Sequence, residues 1–356
     1  MRAIHQFVAG FSNGDAISNE ALVLRGIFRS WGYASDIFCE TRRILPELRR
    51  EAFDVSTYSA NAKPDDVVLL HLSVGSDVND VFAGLACRKA ILYHNVTPAE
   101  YFRGIHENIA ALLARGRDQA KALAGKAQVV MADSAFNAQE LKDWGYGPAG
   151  VLPLVLDLEK LRSKPDRAIL RQYDDGLVNI LFVGRCVPNK RIEDCLSAFY
   201  YFQRYVEPNS RFIHIGSFAG TEQYHSLLLT RVREFHIHNI IMPGSVRQNE
   251  LNAYYRCAHL FLSMSEHEGF CIPLIESMVN DLPILAYAAG AVPETLDGAG
   301  VLFKEKRFDL VAEMMGRMAR DQALRNAVIA GQRERLARYE KRDLASELRG
   351  FLEPLL

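Results

Sequence analysis

The sequence lacks the features that announce several common functions. Its six cysteines, Cys39, Cys87, Cys186, Cys195, Cys257 and Cys271, are scattered, and no C-x-x-C pair occurs. That argues against a zinc module and for the reduced thiols of a cytosolic compartment. Neither charge is in excess: 42 Lys and Arg against 43 Asp and Glu leave a net charge of -1. Nucleic acid, which calls for a basic face, is not an expected partner. No apolar run approaches the ~20 residues that a membrane-spanning helix needs. The opening M-R-A-I-H-Q-F-V enters a strand directly and leaves no room for a signal peptide. There is no internal repeat and no low-complexity segment. The loop after the opening strand, G-F-S-N-G-D-A-I-S-N-E, is not the G-x-G-x-x-G of a dinucleotide site, so no nicotinamide cofactor is indicated.

What is present is ordinary for a soluble globular chain: 49% hydrophobic and 24% charged residues. A length of 356 residues favours two domains over one core. Short apolar runs alternate with longer amphipathic stretches. In the first half the strand candidates are Ala3–Val8, Ser35–Cys39, Val67–Leu72, Ala90–Tyr93, Val129–Ala132 and Val151–Leu152. Helices are predicted between them at Ala16–Ser30, Asp77–Leu85, Ala99–Ala124 and Ala135–Trp144. The alternation breaks between Pro153 and Gly176 and resumes with strand Ile180–Val183. Strands separated by helices predict β-α-β units and a mostly parallel sheet in each half. The predicted layout is a first domain over 1–160, a linker over 161–176 and a second domain over 177–340. A C-terminal helix over 341–356 is free to pack on the first domain.

The stretch with the densest chemistry is L-F-L-S-M-S-E-H-E-G-F-C-I-P-L-I-E, Leu260 to Glu276. It reads as a buried strand, a polar loop, a glycine turn at Gly269 and a helix opened by Pro273, whose missing N–H suits a first helical position. Glu268 and Glu276 flank backbone N–H groups at a helix N-terminus, a natural anion site. The strand Ile180–Val183 runs into Gly184, Arg185 and Lys190. If both cations face a cleft they suit phosphate oxygens; in isolation they read as two solvated loop charges. I-M-P-G-S-V-R, ending in Ser245, Val246 and Arg247, is another glycine-bearing strand end, able to offer backbone groups to a planar base.

In the first half, Gly10 and Gly14 let the first loop approach a phosphate or an acceptor. Asp15 belongs to that acceptor-side loop or serves as an ordinary N-cap, and the residues leave the two readings open. His94 ends one strand candidate and His71 another. Ser134 reads as a helix cap. The segment from Arg42 to Phe53 interleaves Arg42, Arg43, Arg49 and Arg50 with Ile44, Leu45, Leu48 and Phe53. It suits an anionic membrane surface, but Glu47, Glu51 and Pro46 favour a solvated face.

Together, G-R-x-x-x-x-K at Gly184–Lys190, P-G-S-V at Pro243–Val246 and E-G-F-C-I-P-L-I-E at Glu268–Glu276 resemble the retaining glycosyltransferases of family 4. The likeness is strong over 178–305 and looser in the N-terminal half. It implies the α/β GT-B fold, two Rossmann-like doubly wound domains facing a central cleft. By that resemblance Arg185 and Lys190 would bind a diphosphate, Glu276 the ribose and Glu268 the hydroxyls of the transferred sugar. Gly269, Phe270, Cys271 and Ile272 would line sugar and phosphate, with Ser245 and Val246 beside the base. The family carries a histidine near the leaving phosphate, where His94 would stand. The sequence departs from the family at Cys271, where glycine is more frequent, and at Ser277, where alanine is.

The implied reaction is metal-independent hexosyl transfer with retention of anomeric configuration, from a nucleoside diphosphate sugar to a glycan or lipid-linked acceptor. There is no D-x-D for a divalent ion, and no bound cofactor is implied. The wording E-H-E-G-F-C-I-P resembles bacterial mannosyltransferases of surface polysaccharide assembly, which favours GDP-mannose as donor over UDP-sugars. The expected location is cytoplasmic, with peripheral contact at the inner membrane face. Two alternatives stay open: a retaining sugar phosphorylase, and a non-catalytic nucleotide-sugar binder.

Overall fold

The computed structural model describes residues 2–59 and 62–356. Among these, thirteen strands form two sheets, and every strand pair is parallel. The chain divides into two compact units. One comprises residues 1–103, 107–156 and 343–356, the other 104–106 and 157–342.

The first unit holds β1 (Ile4–Val8), β2 (Ile37–Cys39), β3 (Ala52–Asp54), β4 (Val67–Leu72), β5 (Arg88–Tyr93), β6 (Val129–Ala132) and β7 (Gly150–Val151), in the order β3-β2-β1-β4-β5-β6-β7. Strand β4 is buried along its whole length, as its unbroken V-V-L-L-H-L run requires between two covered faces. The helix Ala16–Ser30 starts where Asp15 accepts the Ser18 N–H at 2.8 Å. It turns Ala21, Leu24 and Phe28 inward, the helical spacing of one apolar face. The C-terminal helix Leu344–Leu352 belongs to this unit: Leu348, Leu352 and Leu355 join Leu24, Phe28, Leu69, Leu92 and Met131 in one core. Arg88 donates to the Leu355 carbonyl at 2.7 Å and Arg2 to that of Leu356 at 2.8 Å, which ties down the chain end.

The second unit holds β8 (Val178–Val183), β9 (Ser210–Ile215), β10 (Ile240–Gly244), β11 (Leu260–Ser263), β12 (Ile284–Tyr287) and β13 (Val301–Phe303), ordered β10-β9-β8-β11-β12-β13. Strand β8 pairs with both β9 and β11, so the carboxyl ends of β8 and β11 are neighbours. In open parallel sheets such ends are where ligands bind.

Several expectations are refined. The stretch 99–124 is not one helix but a 3-10 turn, Ala99–Tyr101, and a helix, Glu107–Ala122. Gly104, at φ 76°, breaks the run between them. The segment over 161–176 contains the helix Arg167–Gln172, opened by Asp166, which accepts the Ala168 and Ile169 N–H groups. The Arg42–Phe53 segment forms two 3-10 turns and β3. Arg42 pairs there with Glu40 at 2.5 Å and with Asp77 at 3.4 Å, while Glu51 takes Arg25 at 2.5 Å. Among the described residues no helix is long and apolar enough to cross a membrane. The expected fold class stands: two parallel α/β sheets in succession.

Candidate functional site

In the second unit the site is built on the loop after β11. All four residues of that strand are buried, as is most of the loop that follows: Met264, Ser265, His267, Glu268, Phe270 and Cys271. A loop this buried must satisfy its polar groups internally. Asn189, from the 3-10 turn Pro188–Lys190 after β8, donates its amide to the His267 carbonyl at 3.0 Å. Its own carbonyl accepts the Glu266 N–H at 2.9 Å. The ends of β8 and β11 are thereby stitched together.

That stitching brings Lys190 onto Glu268, with Nζ 2.6 Å from each carboxylate oxygen. Burial works against the ammonium charge, but Glu268 outweighs it and raises the Lys190 pKa. Behind Glu268 stands the end of β12. Ala291 N–H donates to the Glu268 carbonyl at 2.9 Å. Gly290, at φ +57°, lies so close that a Cβ there would sit 2.6 Å from the Glu268 carbonyl oxygen. Only glycine fits that approach.

The helix begins at Ile272, one residue earlier than proline placement suggests, with Pro273 still in its first turn. The left-handed conformation in this turn is carried by Cys271 at φ 72°, ψ 67°. Thr295 donates its hydroxyl to the Phe270 carbonyl and fixes the turn from the side. Burial and the neighbouring Glu268 push the Cys271 thiol well above its ordinary pKa, so it is not a nucleophile at neutral pH. Glu276, half-buried, accepts the Tyr255 hydroxyl at 2.6 Å through Oε2. Burial raises its pKa and the Tyr255 hydrogen bond pulls it back.

Arg185 is exposed on the loop after Gly184. Ser245 is exposed and Val246 half-buried beyond β10. Beside Gly244 lies the ring of Phe218, stacked on His225 with centroids 4.4 Å apart. Arg191 caps the helix Ile192–Tyr201 and pairs with Glu266 at 2.9 Å and Glu193 at 3.2 Å.

In the first unit, Gly14 is left-handed at φ 75°, and Asp15 is an N-cap that binds both Ser18 N–H and Oγ. Ser134 caps the helix Ala135–Asp143 as expected. His94 and His71 end the adjacent strands β5 and β4, with ring nitrogens 2.9 Å apart. His94 also faces Asp133 through Nδ1 at 3.1 Å.

The structure therefore places Lys190, Glu268 and Cys271 together, puts Glu276 on the helix that follows, and keeps His94 within the first unit's own network. Sequence reasoning missed Asn189, Gly290, Tyr255, Phe218 and His225. A glycine after a strand marks Gly290, in Y-A-A-G-A-V-P, but nothing in the spacing marks the others.

The family model for glycosyl transferases group 1 matches residues 167–335. The alpha-monoglucosyldiacylglycerol synthase of Acholeplasma laidlawii is 28% identical over 158 residues, 44% of this chain and 38% of that protein. The trehalose synthase of Thermococcus litoralis is 26% identical over 50% of this chain and 45% of its own. The chain thus spans less than half the length of these two relatives. The GDP-mannose-dependent alpha-(1-6)-phosphatidylinositol monomannoside mannosyltransferase of Mycobacterium tuberculosis is 24% identical over 81% of this chain and 79% of its own. Among solved structures, sucrose-phosphate synthase from Thermosynechococcus elongatus superposes with a TM-score of 0.75 at 16% identity over 99% of each chain. HepE from Anabaena, solved with UDP-glucose, also gives 0.75, at 15% identity over 99% of each. Residues 167–335 carry the group 1 glycosyl transferase module, in a chain with the GT-B fold of the glycosyltransferases.

Proposed function

We propose that this chain is a retaining, family 4 type glycosyltransferase that moves a hexose from a nucleoside diphosphate sugar to a hydroxyl of a glycan or lipid-linked acceptor. The observation that carries the reading is the Lys190–Glu268 pair, held at 2.6 Å at the neighbouring ends of β8 and β11. It stands in the loop that leads into the helix Ile272–Val279.

The difficult event is departure of the diphosphate as the sugar becomes oxocarbenium-like. Lys190, Arg185 and the N–H groups that open the Ile272–Val279 helix supply positive charge for the oxygens on which charge builds. Sugar hydroxyls donate to Glu268 in place of the Lys190 ammonium, which turns to the phosphates. Glu276 has one oxygen fixed by Tyr255, leaving the other to accept ribose hydroxyls. The base lies by Ser245 and Val246, with the Phe218 ring as a flat neighbour. The acceptor is assigned to the first unit, with Gly14 and Asp15 on its loop. His94 is assigned to the reaction as a charged group rather than a base. The leaving phosphate accepts the acceptor's proton, and no divalent ion takes part, because the chain has no D-x-D.

GDP-mannose is the favoured donor, supported by the mannosyltransferase relative that aligns along most of both chains. A cytoplasmic enzyme meeting a lipid-linked acceptor at the inner membrane face, in surface polysaccharide assembly, is consistent with the glycolipid-directed names among the relatives. A thermal-shift screen of nucleotide sugars tests the donor. A true donor at 100 times its dissociation constant adds ~2.7 kcal/mol of stability. Absence of any shift with both GDP-mannose and UDP-glucose would overturn the assignment.

A further inference from the structure

The first unit contains a buried chain of four polar side chains that the proposed reaction does not require in that form. It runs Gln6 (β1), His71 (end of β4), His94 (end of β5) and Asp133 (after β6), at the carboxyl ends of four strands that are neighbours in the sheet. All four side chains are essentially excluded from solvent.

Hydrogen-bond direction fixes where the protons are. Gln6 donates its amide N–H to the Ala21 carbonyl at 2.8 Å, which aims its Oε1 at His71 Nε2, 2.9 Å away. An amide oxygen only accepts, so His71 Nε2 carries a hydrogen. At the other end one proton lies between His94 Nδ1 and the Asp133 carboxylate. Between these ends, His71 Nδ1 and His94 Nε2 are 2.9 Å apart. The ring planes are parallel within 2° and the centroids 5.1 Å apart, nearly the contact distance plus the two ring radii. The rings therefore meet edge to edge and almost in line, as in N–H···N. Without a proton there, two lone pairs would point at each other in a site without water's dielectric.

We infer that His71 is the positioning residue of His94: it accepts the His94 Nε2–H in this in-line bond, so that His94 holds hydrogens on both nitrogens and offers no lone pair to a substrate. The groups facing the pair agree. Glu20, on the Ala16–Ser30 helix, places Oε2 3.5 Å from His94 Nε2 and 3.8 Å from His71 Nδ1. Burial opposes charge on His94, but Asp133, with Glu20 and Asp15, more than offsets it and moves the pKa up to about 9. Burial, and then the neighbouring His94, lower that of His71 well below its ordinary value. Burial also raises Asp133, against the pull of His94. A metal ion held by Glu20, His71 and His94 would need the two ring lone pairs to converge on it at about 2.0–2.1 Å. Here each points along the line joining the nitrogens.

The test is proton-detected NMR of the full chain labelled with ¹⁵N-histidine, with His94→Gln used to assign the His94 signals. Near neutral pH both His94 nitrogens should resonate as protonated and His71 should show one bare nitrogen. His71→Leu should lower the His94 pKa by roughly a unit or more, the scale expected when a hydrogen bond to the charged form is removed. His71→Asn, which keeps an acceptor oxygen near the Nδ1 position, should restore most of it. A bare Nε2 on His94 in the wild type overturns the inference, as does stoichiometric metal in the purified protein with metal-shifted ring signals. An unchanged His94 pKa in a folded His71→Leu variant does the same. If that variant does not fold, the wild-type spectrum decides alone.

Discussion

Lys190 Nζ lies 2.6 Å from both carboxylate oxygens of Glu268, although the two residues are 78 positions apart. The Glu268 side chain is 7% exposed, so removing the cation leaves a buried carboxylate unpaired. Lys190→Ala should therefore lose stability, by about 3 kcal/mol, as well as turnover, by ~10²–10³. Adding Glu268→Gln should recover part of the stability and none of the turnover. A double-mutant cycle by thermal unfolding and initial rates reads both; additive stability losses would mean that the pair is not coupled.

Gly290 supports Glu268 from behind. Gly290→Ala puts a methyl 2.6 Å from the Glu268 carbonyl oxygen at a φ of +57°. The left-handed conformation alone costs about 1–2 kcal/mol for a side-chain-bearing residue, and the displaced Glu268 should depress kcat. An alanine variant with wild-type melting temperature and rate would show that the contact yields freely.

Tyr255→Phe removes the hydroxyl that orients Glu276 at 2.6 Å. A hydrogen bond to a charged group is worth roughly 1.5–3 kcal/mol, and the ribose contact is made in ground and transition states alike. The expected result is a donor KM raised by about tenfold or more with little change in kcat. A fall in kcat at constant KM would move Glu276 away from the ribose.

Cys271 carries a left-handed backbone that glycine adopts without strain. Cys271→Gly should leave stability unchanged or raise it by up to ~1 kcal/mol, less whatever packing the thiol supplies. Its raised thiol pKa predicts resistance to alkylation in the native state at neutral pH. Rapid alkylation of Cys271, seen by mass spectrometry, would contradict the burial.

Stability should depend on pH through His94. Its folded-state pKa, raised to about 9 from an unfolded value of about 6.5, means that folding takes up a proton between those values. The stabilisation is complete below about pH 6.5 and is lost as pH rises through about 9. Denaturant midpoints across that window should fall in the wild type and flatten in His94→Gln. An unchanged slope in the variant would remove His94 as the source.

The sequence is most legible where one signal has one meaning. Val67–Leu72 and Val129–Ala132 are uninterrupted apolar runs, and both form strands with those bounds. Ala52–Asp54 escaped notice because this edge strand is three residues long and exposes Phe53, so it has no apolar run to read; its register with Ile37–Cys39 is set by backbone bonds. Asp15 was open between two roles until the Ser18 contacts showed the cap, a bond between residues three apart that spacing permits but does not require. Lys190 and Glu268 were each legible as site candidates from glycine-bearing strand ends. Their mutual contact was not, because it depends on β8 and β11 being neighbours in the sheet. Asn189, which ties those two loops, has the same long-range origin.

The account rests on sugar transfer with retention, and the anomeric proton reports it directly. With water as a surrogate acceptor, the chain would be incubated with GDP-mannose or UDP-glucose, both α-linked, and the released sugar followed by ¹H NMR before mutarotation. The account predicts the α anomer first, at a rate cut at least a hundredfold by Lys190→Ala. The β anomer first would contradict retention, and donor binding without cleavage of either nucleotide sugar would contradict catalysis.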